Sequence, residues 1–259
     1  MLEYNKIKKS HKRFNLFAIV IGILSLIDIV IYNVFNYLQI NPKGQYLTKI
    51  IPVSLFFLLP IIHQMLYTIN IYSFLTSIAL IFCWIGDFLL LFYSPENNFL
   101  IFGGISFFSA RCIWILALML FPEKECSFLK YKTKSLIETF LFATVIYTGF
   151  GLFFYFNCPD NILSVLVLIY FILGFGPPVA LAYLRIKKLS QETIRGTVLS
   201  FAGLLCFNFS DTLLFFSLLS GIIPLKWSFL SNNIYWAAMY LLSLSVSREN
   251  FVNMFDLLY

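Results

Sequence analysis

Long apolar runs separated by short polar segments dominate the chain. Eight runs of about 20 residues are predicted to be helices, at 14–37, 48–66, 72–94, 98–121, 135–156, 161–184, 196–221 and 227–247. A helix of about 20 apolar residues crosses a ~30 Å hydrocarbon core and satisfies its own backbone polar groups there. The pattern therefore predicts an all-α, polytopic membrane protein with a single bundle of eight transmembrane helices.

One integral membrane domain is predicted over residues 1–259. It comprises a basic N-terminal segment (1–13), the bundle (14–247) and a short tail (248–259). The first apolar run is longer than the 7 to 15 residues of a signal-peptide core, so we expect it to remain as a helix. Gly176, Pro177 and Pro178 should interrupt the sixth helix, because each proline removes a backbone donor.

The basic residues predict the orientation of the helices. With both termini in the cytoplasm, fourteen of the eighteen Lys and Arg residues lie on the cytoplasmic side, as the positive-inside rule requires. These are Lys6, Lys8, Lys9, Lys12, Arg13, the four lysines of 124–134, Arg185, Lys187, Lys188, Arg195 and Arg248. Lys43, Lys49 and Lys226 lie on the opposite side, and Arg111 lies within a span.

The composition excludes several classes of protein. Hydrophobic residues make up 60% of the chain and charged residues 12%, against roughly 25% charged in a soluble domain. Topology explains the net charge of +6, so no nucleic-acid partner is expected. Five cysteines without CxxC or CxxH spacing and two histidines predict no metal site, cofactor or disulfide framework.

Four ionisable residues at membrane depth are the strongest functional signal. Asp28, Asp87 and Asp211 lie in the first, third and seventh spans, and Arg111 lies in the fourth. A charge at a helix centre costs about 2.5 to 3.5 kcal/mol on insertion, so such residues usually face the bundle interior or a wet cavity. Asp28 is expected to be structural, with Arg111 as one potential partner.

Asp87 and Asp211 are predicted to meet at one depth. They lie about seven and ten residues from the outer ends of their spans, or roughly 10 and 15 Å at ~1.5 Å per residue. In a low-dielectric site, one carboxyl can keep its proton as a general acid while the other stays ionised as a base. The alternative is a structural role, in which each aspartate accepts from a buried donor or pairs with Arg111.

Neighbouring residues extend the candidate site. Asn208 and Ser210 can donate to Asp211, whereas Trp84 gives Asp87 a more apolar wall, which favours Asp87 as the acid and Asp211 as the base. For substrate binding, Lys49 at the start of the second span can reach a lipid phosphate. Further candidates for that role are Arg111, Tyr235 in the eighth span, and Asn208 and Ser210 themselves.

Five motifs resemble those of the YhhN family of integral membrane lysoplasmalogenases, in the family's order. They are the lysine-proline element 49–52, IGDFLL at 85–90, GG at 103–104 followed by FFSA at 107–110, FSDTLL at 209–214 and the tyrosine-rich 235–240. The likeness covers about residues 48–245.

This resemblance implies hydrolysis of the vinyl ether bond of a lysoplasmalogen, giving a fatty aldehyde and a glycerophospho head group without metal or cofactor. It assigns the paired acidic roles to Asp87 and Asp211. The family's histidine in the fourth helix is Arg111 here, Trp114 replaces a tyrosine, and Met239 replaces a glutamine. Because arginine binds phosphate but cannot act as a titrating base, a changed head-group preference and a lost activity are both open.

Two other functions fit the pattern. A proton- or cation-coupled transporter would use the matched aspartates as carriers and the Gly-Pro-Pro break as a hinge. A catalytically silent protein would bind lipid without chemistry. The expected partners are a lysophospholipid or ether-lipid substrate and membrane lipids, with a homo-oligomer open, in the cell or inner membrane of a bacterium or an endomembrane of a eukaryote.

Overall fold

A computed structural model describes residues 2–38, 42–67, 71–92, 98–120, 133–158, 161–187, 194–218 and 228–247. Helices account for nearly all of these residues, and no strand occurs among them, so the all-α prediction is confirmed for this part of the chain. The helices are α1 (Leu2–Leu38), α2 (Pro42–Leu66), α3 (Ile71–Leu91), α4 (Phe99–Met119), α5 (Thr133–Asn157), α6 (Asn161–Ile169), α7 (Gly176–Ile186), α8 (Ile194–Leu218) and α9 (Ser228–Leu244). A π-helical turn (Tyr170–Phe175) joins α6 to α7.

Seven helical segments of the described ranges are long and apolar enough to cross a membrane. They match the first seven predicted spans, with α6, the π-helical turn and α7 forming the sixth. The helix at the eighth position, α9, is described over 17 residues, or about 26 Å at ~1.5 Å per residue. The eighth span and the orientation of the termini therefore stay predictions.

The structure changes one predicted boundary, and two predicted segments lie outside the residues that it describes. The basic segment 1–13 is not separate from the first helix, because α1 already begins at Leu2. Lysine and arginine have high helix propensity, so a basic segment can extend a helix beyond its apolar run. The basic connection 121–132 and the tail 248–259 lie outside the described residues.

The predicted interruption of the sixth span takes the form of the π-helical turn. Pro177 and Pro178 occupy the first turn of α7, where a missing N–H is tolerated. The regular α-helical ladder is lost just before them, over Tyr170–Phe175. Such π-helical segments change the direction of the side chains that follow and often occur at functional sites. Tyr170 and Phe175, at the two ends of this turn, are both buried.

Small residues allow the helices to approach closely, as is common in membranes. The main helix pairs are α3 with α4, α8 with α9, and α1 with α2. At Gly86 of α3, an added Cβ would lie only 2.9 Å from the Phe107 ring of α4. At Gly203 of α8, it would lie 2.7 Å from the Leu242 side chain of α9. A side chain at either position would force Phe107 or Leu242, or the helix that carries it, to shift.

Two native cysteines test the predicted orientation. Cys126 follows the fourth span and Cys158 follows the fifth, so their thiols should lie on opposite sides of the membrane. We expect a membrane-impermeant maleimide to label Cys158 in intact cells, and Cys126 only after permeabilisation. A Cys158→Ser variant should lose the external signal, and labelling of Cys126 in intact cells would reverse the orientation.

Candidate active site

Asp211 of α8 lies in a buried hydrogen-bonded network. Its Oδ2 accepts hydrogen bonds from Arg111 Nη2 at 2.7 Å and from the Tyr170 hydroxyl at 2.6 Å. Arg111 Nε also donates to the Tyr170 oxygen at 3.1 Å, which closes a three-residue ring. Arg111 is 0% exposed and Asp211 6%, so α4, the π-helical turn and α8 meet at one buried ion pair.

The second half of the Arg111 guanidinium is held by Asn208 and by aromatic rings. Arg111 Nη1 donates to Asn208 Oδ1, and Asn208 Nδ2 donates to the Tyr147 hydroxyl at 2.8 Å. The guanidinium carbon lies 4.0 Å from the centroid of the Phe207 ring and 4.3 Å from that of Phe175. Charge pairing, hydrogen bonds and cation–π contacts together compensate a cation that would be costly to bury alone.

Asp87 of α3 belongs to a second polar group. Its Oδ2 accepts a hydrogen bond from the Tyr235 hydroxyl of α9 at 2.7 Å. Cys83, one turn before Asp87, is fully buried and interacts with Tyr235. The half-buried Lys49 of α2 interacts electrostatically with Asp87. Three helices, α2, α3 and α9, thus contribute to the surroundings of this carboxyl.

Aromatic rings lie between the two polar groups. The ring centroids of Phe107 and Phe207 are 6.0 Å apart. The Tyr235 ring centroid lies 6.0 Å from that of Phe107 and 5.6 Å from that of Phe207. The charges of Asp87 and Asp211 are close enough to interact electrostatically. The two predicted aspartates therefore lie in adjacent sites inside the bundle, each with its own donors.

A cavity of about 200 Å³ lies beside Asp211. It is bounded by α3, α4, α6, the π-helical turn and α8, and among the described residues Asp211 and Tyr170 are the only polar side chains on its wall. Asp87 does not line it, so this cavity is not one that both aspartates share. Phe107 lines the cavity and also packs on Gly86 and Tyr235, which places its ring between the cavity and the Asp87 group.

Only one of the two predicted donors to Asp211 joins its network. Asn208 joins it indirectly, because its Oδ1 accepts a hydrogen bond from Arg111. Ser210 does not, because its hydroxyl donates to the Ser231 carbonyl at 2.8 Å and links α8 to α9. Adjacent residues of a helix point about 100° apart, so Ser210 and Asp211 face different helices.

The predicted neighbour Trp84 does not form a wall beside Asp87. Its ring stacks on Phe88, is 37% exposed and donates from Nε1 to the Ser54 hydroxyl at 3.0 Å. The buried face of α3 carries Cys83 and Asp87 instead. The prediction failed because Trp84 and Cys83 both lie about one turn before Asp87, and spacing alone does not select between them.

Asp28 is not the partner of Arg111, which pairs with Asp211. Asp28 is partly buried on α1, and within the described part of the chain its Oδ2 has no hydrogen-bond partner. The network has a partner that the sequence did not reveal, Tyr170. Its only advance signal was a tyrosine in the middle of a span, away from the interfaces where this residue is usually found.

The model of the YhhN family matches residues 44–246. The chain belongs to the YhhN family. No curated protein and no solved structure matches the chain. In this YhhN-family chain, the matched region contains both polar groups and the cavity, whereas α1 with Asp28 lies outside it. Trp114 and Met239, which depart from the family pattern, are both buried in the core.

Removal of Arg111 should destabilise the protein. We expect Arg111→Met to lower the free energy of unfolding by about 3 to 5 kcal/mol, because Asp211 then remains buried without its counter-charge. Unfolding of the purified protein in detergent, followed by circular dichroism, measures this change. The double variant Arg111→Met with Asp211→Asn should recover part of the loss, since neither charge remains.

Lys134→Met serves as the control for the Arg111 variant. The Lys134 side chain is 87% exposed and pairs with Glu138 at 3.9 Å, so its removal should leave the unfolding midpoint almost unchanged. Equal stability of Arg111→Met and the unmodified protein would show that the buried ion pair contributes nothing to the fold.

Proposed function

We propose that this protein is a lysoplasmalogenase-like hydrolase that cleaves the vinyl ether bond of a lysoplasmalogen to a fatty aldehyde and a glycerophospho head group. The observation that carries the proposal is the pair of buried carboxyls in adjacent sites, one of them at an apolar cavity. Membership of the YhhN family supports a hydrolase of this kind. Two carboxyls are sufficient for acid–base hydrolysis of a vinyl ether.

Asp211 is the ionised carboxylate in the proposed reaction. Arg111 and Tyr170 both donate to its Oδ2, and donors of this kind stabilise the charged form. The carboxylate also lies on the cavity wall. It is therefore placed to stabilise the oxocarbenium ion that forms when the alkene is protonated.

Asp87 is the proton donor in this scheme. Tyr235 is its hydrogen-bond donor, and Lys49 is the cation that interacts with it. The phosphate of a bound head group would attract Lys49, which starts the second span and is only half-buried. Asp87 would then lose its counter-charge and hold a proton more readily, so that substrate binding itself would prepare the acid.

The proposed steps balance in protons and electrons. Asp87 protonates the alkene carbon that is not bonded to oxygen, which leaves an oxocarbenium ion. Water adds to that ion while Asp211 takes its proton, and the product is a hemiacetal. The hemiacetal hydroxyl returns a proton to Asp87, Asp211 protonates the glycerol oxygen, and the carbon–oxygen bond breaks to give the aldehyde. The Phe107 ring must turn aside for both carboxyls to reach one double bond.

A catalytically silent lipid-binding protein is the second candidate. The observation that favours it is the closed ring of Arg111, Tyr170 and Asp211, in which Oδ2 of the carboxylate already accepts hydrogen bonds from two protein donors. The same ion pair argues against a transporter that carries protons on Asp211. A carrier keeps its proton throughout a conformational change, and Arg111 would be a buried cation without its counter-charge for that whole time.

Neutral replacement of either aspartate should abolish the reaction. We expect Asp87→Asn and Asp211→Asn each to reduce aldehyde release from lysoplasmalogen by at least about 100-fold, because an amide can neither give nor take the proton. Aldehyde release by purified protein in lipid nanodiscs is the measurement. The double variant should be no slower than either single one, since the two groups act as a unit.

Asp28→Asn is the matched control, because Asp28 also lies at membrane depth but outside both polar groups. It should retain full activity. Near-normal aldehyde release by the Asp87 or Asp211 variant would disprove the two-carboxyl mechanism. Binding of lysoplasmalogen by the unmodified protein without any aldehyde release would favour the silent lipid-binding protein instead.

Replacement of Arg111 by histidine introduces the residue that the YhhN family pattern has at this position of the fourth helix. We expect Arg111→His to keep or increase turnover, because a protonated imidazole can still pair with Asp211 while a neutral one can exchange protons. The ratio kcat/KM for lysoplasmalogens with choline and ethanolamine head groups measures the effect. Complete loss of activity in a folded Arg111→His protein would show that the guanidinium itself is required.

A further inference from the structure

We propose that the cavity beside Asp211 binds the hydrocarbon chain of a single-chain lipid, which enters sideways from the membrane between α4 and α6. This inference deepens the proposed function, on which it rests for the identity of the reacting bond. Binding of the chain can nevertheless be measured without any chemistry. The inference also predicts that the protein binds single-chain lipids in preference to lipids with two chains.

The two helices that frame the entrance are packed on different neighbours. Helix α4 packs on α3, α7 and the π-helical turn, whereas α6 packs on α5 and that same turn. Direct contacts between α4 and α6 are few among the described residues. Residues 100–105 of α4 and 163–169 of α6 nevertheless line the same cavity, so side chains and not close helix packing bound it here, and we call this stretch the gap between α4 and α6.

The gap opens towards lipid. Ile105 of α4 and Leu166 and Ile169 of α6 line the cavity, yet they are 53%, 37% and 43% exposed. These residues lie within segments long and apolar enough to span a membrane, where an exposed side chain faces hydrocarbon. A molecule that enters here therefore comes from the membrane interior and not from water.

The wall chemistry fits a hydrocarbon chain with one polar bond at its end. Every described residue that lines the cavity is apolar or glycine except Asp211 and Tyr170, which are buried and hydrogen-bonded to each other. A polar solute would leave its groups without hydrogen bonds along such a wall, at a cost of several kcal/mol in hydrocarbon. A phosphate would meet the Asp211 carboxylate there. A hydrocarbon chain satisfies both conditions when its ether bond reaches Asp211 and its head group lies beyond Phe107, towards Lys49, as in the proposed reaction.

Gly104 of α4 offers a direct way to fill the cavity. A Cβ added there would have no heavy atom within 4 Å, although the residue lines the cavity. A Cβ can thus be added without displacing a neighbour, and we expect the larger side chain of leucine to occupy part of the cavity. Gly149 of α5 has the same open surroundings, is exposed, and does not line the cavity, so it provides a matched control.

The experiment measures chain binding in nanodiscs with a photoactivatable lysophosphatidylcholine. The probe carries a diazirine on its ester-linked chain, so no vinyl ether hydrolysis takes part. We expect peptides of α4 and α6 to be the main labelled sites, and Gly104→Leu to reduce this labelling about tenfold through loss of contact for about two methylene groups. Gly104→Ala should reduce it less, and Gly149→Leu should leave it unchanged.

The controls separate this inference from the proposed function. Unfolding midpoints of the three glycine variants must match that of the unmodified protein, and excess diacyl phosphatidylcholine should not compete with the probe. Labelling spread evenly over the lipid-facing surfaces of α1 and α5, or equal labelling of Gly104→Leu and Gly149→Leu, would overturn the inference even if aldehyde is released. Specific labelling without aldehyde release would support chain binding and disprove the hydrolase.

Discussion

The buried ion pair between Arg111 and Asp211 is the interaction on which the arrangement of the inner helices depends. Either charge alone would be unfavourable inside a membrane protein, and the pair is stable only because Tyr170 and Asn208 satisfy the remaining donor and acceptor sites. Since these four residues come from α4, the π-helical turn and α8, the geometry of the pair fixes the register of three segments at once. The π-helical turn brings Tyr170 into that ring.

The same pair makes the two carboxyl sites unequal. Asp211 pairs with an arginine that cannot lose its charge, so it suits the role of the carboxylate that is ionised before the reaction starts and takes a proton only when water adds. Asp87 is held by a phenol and by a lysine on a flexible stem at the start of a span. In the proposed reaction, only the second site can change its charge when a head group arrives. The residues that bind each aspartate, and not the aspartates themselves, then decide which one is the acid and which one is the anion.

The sequence predicted the helices well and the side-chain directions poorly. Apolar length alone located the spans, and the cost of burying charge singled out Asp87, Asp211 and Arg111. Helix α3 buries the face that carries its small and polar residues, including Cys83 and Asp87, so spacing to Asp87 alone placed Trp84 wrongly. Tyr170 was missed for a related reason, because a π-helical turn changes the phase of the helix and no regular spacing describes it.

Phe107 connects the cavity to the acid. Because Gly86 has no side chain, the Phe107 ring lies directly on the α3 backbone next to Asp87, and its other side forms part of the cavity wall. In the proposed reaction, a chain that fills the cavity must displace this ring before Asp87 and Asp211 can reach one double bond. Chain binding and proton delivery would then be a single event. A water molecule in the cavity would meet only the anionic site, and a vinyl ether without a long chain would bind without being protonated.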